Sequence, residues 1–126
     1  MDLRFGESGQ GWPNELLQLR NLVERATGAK YNSLGIPHYP NGAVGLHAHK
    51  DLHVRANTPI ATLSMGATRS LTLARDGFAE HSVRLPANSL YVLKPPTNDF
   101  WTHAIEKEPG ETEPRFSFVF RSFQKA

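Results

Sequence analysis

Leu16, Leu19, Val23 and Ala26 recur at the three-to-four-residue spacing of one helical face, with Pro13 ahead of them and Gly28 behind. Proline suits the first helical turn and glycine the stop, so the pattern predicts a helix over 13–27 with Leu16 and Leu19 in the core. Residues 1–11 are polar and glycine-rich and read as an irregular lead-in. After the helix the apolar period falls to two. Extended segments are expected at about 31–35, 43–52, 60–65, 69–74, 82–85, 89–93, 100–105 and 115–121. Pro37–Gly42, Asn57–Pro59, Gly66–Ala67, Asp76–Gly77 and Lys94–Asn98 supply the turns between them. Ser89–Leu93 is a continuous apolar run, the signature of a strand covered on both faces. About eight short strands after one helix predict a mainly β protein, a two-sheet sandwich or jelly roll with the helix packed on a sheet. No repeat or linker divides the chain, so residues 1–126 are expected to form a single domain.

The last segment carries a second message. Phe116, Phe118 and Phe120 alternate with Arg115, Ser117, Val119 and Arg121, which places both arginines on the face opposite the phenylalanines. At roughly 3.3 Å per residue their Cα atoms lie about 20 Å apart, so the two have separate duties. A surface edge strand is the simpler explanation of two such arginines.

Composition narrows the classes. With 39% hydrophobic and 21% charged residues the chain is a globular protein rather than a disordered one. No apolar run approaches the roughly 20 residues that span a bilayer, and Met1-Asp2-Leu3-Arg4 lacks the apolar region of a signal peptide. A cytoplasmic monomer is expected, without a membrane partner. The absence of cysteine excludes disulfides and thiolate metal sites, leaving histidine and carboxylate as the strong ligands. A net charge of +2 permits a nucleic-acid partner without requiring one.

Candidate chemistry concentrates in His47-Ala48-His49-Lys50-Asp51-Leu52-His53. In an extended strand His47, His49, Asp51 and His53 would all project from one face. Two imidazoles and a carboxylate on one face of an octahedral ion suit non-haem Fe(II), because three positions stay open. His49-x-Asp51 supplies two such ligands, and His103 is the leading candidate for the third. A His47-x-His49 pair and a solvated loop without metal are the alternatives. Trp101, Phe100 and Tyr91 are either core residues or a stacking surface for a base. Arg69, Arg75, Arg84 and Lys94 either follow a phosphate backbone or mark a solvated face.

The order Tyr31-Asn32-Ser33-Leu34, Tyr39-x-x-Gly42, His49-x-Asp51, Pro59-Ile60-Ala61-x-Leu63-Ser64-x-Gly66, Pro96-Thr97-Asn98-x-x-Trp101-x-His103 and Pro114-Arg115-x5-Arg121 resembles the AlkB-like Fe(II)/2-oxoglutarate dioxygenases. The resemblance covers roughly residues 13–123. It implies a double-stranded β-helix, with iron held by His49, Asp51 and His103. It implies 2-oxoglutarate contacts from Tyr39, Arg115 and Ser117, with Arg115 on the distal carboxylate and Arg121 near the metal end. The activity implied is O2-dependent oxidation of a substrate C–H bond, either demethylation or hydroxylation of an alkylated nucleobase in DNA or RNA, as in DNA repair.

The chain departs from the family at four places. Pro37 stands where an asparagine commonly precedes the cosubstrate tyrosine, and Ser117 where another follows the first arginine; His38 or a water is the expected substitute. His53 falls at or near the acidic residue that reads the base. The short lead-in is less than the lid of nucleic-acid repair members, which suggests an open site or a substrate other than a flipped base. Two rival readings remain: a β-sandwich that binds a ligand without turnover, and a nucleic-acid-binding module whose histidines are incidental.

Overall fold

The alternating segment Arg115–Arg121 forms the strand on which the larger of two sheets is assembled. A computed structural model describes residues 2–6 and 10–124; of the lead-in, residues 1 and 7–9 lie outside that range. The elements are β1 (Leu3–Gly6), α1 (Asn14–Thr27), β2 (Ser33–Ile36), β3 (His38–Tyr39), β4 (Leu46–His49) and β5 (Ile60–Gly66), then β6 (Arg69–Ala74), β7 (His81–Leu85), β8 (Leu90–Leu93), α2 (Thr97–Phe100), β9 (Thr102–Ile105) and β10 (Arg115–Arg121). The larger sheet runs β1-β2-β10-β5-β8, with β3 also paired to β10, and the smaller runs β4-β9-β6-β7. Every named pairing is antiparallel. This is the expected jelly roll.

Alternation along β10 separates two environments. Phe120 is fully buried on the outer face, where Phe5, Val23, Tyr31 and Leu34 form a cluster, and Trp12, Leu16 and Leu19 pack against it. Helix α1 therefore covers the outer face of the larger sheet, as its apolar stripe requires. The helix stops at Gly28, whose φ of 72° is the left-handed value favoured by glycine, and whose N–H donates to the Glu24 carbonyl at 2.8 Å. Ser117, Val119 and Arg121 face the smaller sheet and line the space between the two layers.

Several boundaries differ from the pattern-based expectation. The lead-in contains β1, which pairs with β2 from Leu3↔Ile36 to Gly6↔Ser33. The bend after Pro37 contains the two-residue β3, and the His38 ring stacks on Phe116 at 4.5 Å, on the outer face. His38 therefore does not substitute for a cavity contact. Phe100 ends a helical turn, and the extended run begins at Thr102. Strand β8 is an edge strand whose Leu90 is 36% exposed, so it is not covered on both faces. No helix among the described residues is long and apolar enough to cross a membrane.

Arg69, one of the expected surface cations, is instead completely buried. Its guanidinium donates to the carbonyls of Asn41, Val44 and Glu106 at 3.3, 2.9 and 2.6 Å, and Nε lies 3.4 Å from the Glu108 carboxylate. Glu108 also accepts from Arg84 and from the Ser70 N–H. The guanidinium thus staples the loops around 41–44 and 106–108 to β6. Gly42 permits this closeness, because a Cβ there would meet the Glu108 carbonyl oxygen at 1.7 Å.

Replacing Arg69 by leucine removes a charged donor from three carbonyls, so a loss of about 3 kcal/mol or more is expected in urea denaturation. Burial pushes the Glu108 carboxyl up, but the Arg84 hydrogen bond, the Ser70 N–H and the charges of Arg84 and Arg69 outweigh it and hold the acid below its ordinary 4.5. A depressed folded-state value stabilises the fold above the unfolded value, and that stabilisation is lost as pH falls. The stability gap between wild type and Glu108→Gln should therefore be present at neutral pH and narrow progressively below about pH 4.5.

Candidate functional site

Strand pairing brings the two histidines together. His49 at the end of β4 lies opposite His103 on β9, beyond a register irregularity after Leu46, with ring centroids 4.3 Å apart. The strand then stops. Asp51 is held off it by the Asn98 side chain, which accepts from the Asp51 N–H and donates to the Asp51 carbonyl, both at 2.9 Å. This turns the Asp51 carboxylate back onto the histidines: its Oδ1 is 3.1 Å from His49 Nε2 and 3.4 Å from His103 Nε2. Its Oδ2 accepts from Arg121 Nε at 2.6 Å.

The seven-residue histidine segment is therefore not one continuous strand face. His47 is exposed and contributes its carbonyl, which pairs with His49 Nδ1 at 2.9 Å. His53 is exposed, with a φ of 63°, and its carbonyl accepts from the Gln124 N–H. Of the four candidates in that segment, His49 and Asp51 converge, and they do so with His103.

The donor set fits a metal ion. A carbonyl can only accept, so His49 Nδ1 carries the hydrogen and its Nε2 turns a lone pair toward the Asp51 oxygen. Two lone pairs at 3.1 Å repel unless a proton or a metal lies between them. The separations of 3.1 and 3.4 Å are close to the roughly 3.0 Å edge of an octahedron with bonds of about 2.1 Å. Burial pushes the Asp51 carboxyl up, yet the His103 hydrogen bond and the Arg121 guanidinium outweigh it and hold the group well below the ordinary carboxylate range. A carboxylate that stays ionised is what a cation needs.

The triad and Arg121 border a cavity between the sheets, with an empty volume of about 560 Å³ including its open mouth. Its walls are chiefly aliphatic, from Leu46, Ile60, Leu71, Leu85, Leu93 and Ile105. Its polar groups are Tyr39, Thr62, Tyr91 and Ser117, and Pro37 also lines it. Arg115 is fully buried beside this space. Its Nε donates to Ser117, Nη1 to the carbonyls of Ala67 and Leu85, and Nη2 to Ser64. Four of its five N–H groups are thus engaged, and among the described residues no carboxylate pairs with it within 4 Å. Burial lowers its basicity.

Sequence reasoning missed Asn98, Thr62 and the buried role of Arg69. Tyr91 lines the cavity. Phe100 is half exposed under the Arg75 guanidinium, and Trp101 packs against Phe78 and His81. Arg84 is tied to Glu108. The period-two pattern did carry a signal for Tyr91 and Thr62, which are register partners on one face.

Residues 5–121 match the family described as "2OG-Fe(II) oxygenase superfamily". The chain is 30% identical over 128 residues to the cattle protein named alpha-ketoglutarate-dependent dioxygenase alkB homolog 3, covering 92% of this chain and 45% of that one. It is 29% identical over 125 residues to the human DNA oxidative demethylase ALKBH2, covering 90% of this chain and 48% of the relative. The chain thus spans about half the length of the curated relatives it matches. The solved structure of OsALKBH1 superposes with a TM-score of 0.71 at 10% identity, over 90% of this chain and 66% of the other, a likeness of fold.

Calorimetric titration of chelator-treated protein with Mn(II) tests the site. Asp51→Ala and His103→Ala should abolish tight binding, and Asn98→Ala, which frees the Asp51 main chain, should weaken it about 10-fold or more. His47→Ala keeps the carbonyl and should change the affinity less than about twofold.

Proposed function

The chain belongs to the 2OG-Fe(II) oxygenase superfamily, and from that premise we propose that it is an Fe(II)- and 2-oxoglutarate-dependent dioxygenase that oxidises a C–H bond of an alkylated nucleobase. The observation that carries this reading is the convergence of His49, Asp51 and His103 on one carboxylate oxygen at the edge of a largely apolar cavity. Membership of the family implies Fe(II) and 2-oxoglutarate as its cofactors. The names of the curated relatives support a nucleic-acid substrate, DNA in the case of ALKBH2.

The geometry supports a division of labour. His49 Nε2, His103 Nε2 and Asp51 Oδ1 would hold Fe(II), which with O2 and 2-oxoglutarate would supply the oxidising power. Arg121 holds Asp51 Oδ2, so the carboxylate presents the other oxygen in a fixed orientation. Arg115 supplies a buried positive charge with an uncommitted N–H for the distal carboxylate, and Tyr39, packed at its side in the β3–β10 pairing, closes that end. Aliphatic walls keep water out and offer no reactive polar group to the oxidant. Oxidation at a nitrogen-attached methyl releases formaldehyde; at another carbon the hydroxyl is retained.

Two measurements test the proposal. Anaerobic addition of 2-oxoglutarate to the Fe(II)-loaded protein should give a weak visible charge-transfer band that Asp51→Ala removes. In air, an N-methylated single-stranded oligonucleotide should release formaldehyde in step with succinate. A bound metal without the band would identify a binding protein on an enzyme fold. Binding of nucleic acid that survives His49→Ala with no turnover in the wild type would identify a nucleic-acid module.

A further inference from the structure

The metal ligands border two spaces. One is the aliphatic cavity between the sheets; the other is a groove of about 790 Å³, open mouth included, that runs along β1 and residues 50–52. The two share His49, Asp51 and Arg121. One side of the groove follows from register. Arg4 on β1 lies opposite Gly35 on β2, and Gly35 opposite Val119 on β10, so Arg4 belongs to the inner face of the larger sheet. Gly35 adds no side chain to that row, and a Cβ there would sit 3.5 Å from Arg121 Nη1. Arg4 and Arg121 therefore open onto one space.

Two features of the groove have no part in holding a metal. The first is its charge. Arg4 and Lys50 are exposed along it, and neither has an ion-pair partner among the described residues. Arg121 gives Nε to Asp51 and keeps both Nη groups uncommitted. Asp2, the other acid of the groove, accepts the His38 N–H at 3.4 Å. The second feature is Leu52, 71% exposed and the most exposed of the large apolar side chains described. One exposed leucine is ordinary by itself. This one stands on a main chain fixed on both sides: Asp51 by the Asn98 amide, His53 through the Gln124 N–H on its carbonyl at 2.8 Å. Val54 is bridged to Phe123 just beyond. An apolar side chain is thus held out from a fixed turn, one residue from a metal ligand and two from a free cation.

Cations beside a protruding leucine match a nucleic-acid strand, whose phosphates meet the charges while the apolar side chain inserts against a base. We propose that this groove seats the single strand that carries the target base, with Arg4 and Lys50 on its phosphates and Leu52 packed as a wedge against the base next to the target. The inference rests on the reading of the substrate as an alkylated nucleobase. It makes the strand, rather than an isolated nucleotide, the substrate.

The test is fluorescence anisotropy of a labelled, N-methylated single-stranded oligonucleotide on the full chain loaded with Mn(II) and 2-oxoglutarate, over a series of salt concentrations. Leu52→Ala should weaken binding about tenfold, and Leu52→Phe, which keeps an apolar wedge, should bind at least as tightly as the wild type. Arg4→Gln and Lys50→Gln should each make the slope of log affinity against log salt shallower by about 0.7. Thermal midpoint and Mn(II) affinity should match the wild type in all four variants. Wild-type affinity in Leu52→Ala, an equal loss in Leu52→Phe, or an unchanged slope in both cation variants overturns the groove and leaves the oxygenase reading in place. A wild type that gives the charge-transfer band and does not bind the strand overturns the groove and the nucleic-acid substrate together.

Discussion

Asp51 is the point at which separate parts of the fold are tied together. Its Oδ1 meets histidines from β4 and β9 of the smaller sheet, its Oδ2 meets Arg121 from the centre of the larger sheet, and its main chain is gripped by Asn98 from α2. Taking a carboxylate out of water costs several kcal/mol unless its lone pairs are satisfied. Here the satisfaction comes from three elements at once, so the position of this one group fixes the spacing of the sheets at the open end. Arg121 answers one oxygen fully. The other is shared by two imidazoles, an arrangement that a cation completes.

The far end of the layer interior poses the opposite problem, a buried positive charge. Two fully buried arginines sit there, and they are treated differently. Arg69 is enclosed by three carbonyls and the Glu108 carboxylate, with its guanidinium 5.7 Å from the Tyr39 ring. Arg115 receives two carbonyls and two serine hydroxyls but, among the described residues, no carboxylate. The first arrangement is closed and structural. The second leaves one N–H uncommitted, and on the proposed reading the two ends would serve a metal and a carboxylate.

Much of this was legible in the chain because it depends on local periodicity. Helix α1 begins one residue inside the expected 13–27, β6 matches Arg69–Ala74, and the alternation of Arg115–Arg121 separated helix-facing phenylalanines from cavity-facing residues. His49, Asp51 and His103 stood out by spacing and by motif order. What escaped depends on partners distant in sequence. Asn98 and Asp51 are 47 positions apart, and nothing in either neighbourhood announces their double hydrogen bond. The histidine pattern predicts an extended segment over about 43–52, whereas the Asn98 grip and the positive φ at His53 turn the chain instead. Arg69 looked like any surface cation, since its burial is set by loops that close over it.

Helix α1 and the phenylalanine side of the larger sheet have a further meaning. The apolar cluster under the helix, built on Phe120, Leu34, Tyr31 and Val23, lies on the other side of the sheet from the cavity. Packing that holds the domain together is therefore largely separated from the surfaces that meet small molecules. A protein whose only filled interior were its ligand cavity would trade stability against every change of lining. This chain is organised so that the lining can diverge while the helix-covered side stays constant, and one scaffold can thereby come to accept different ligands.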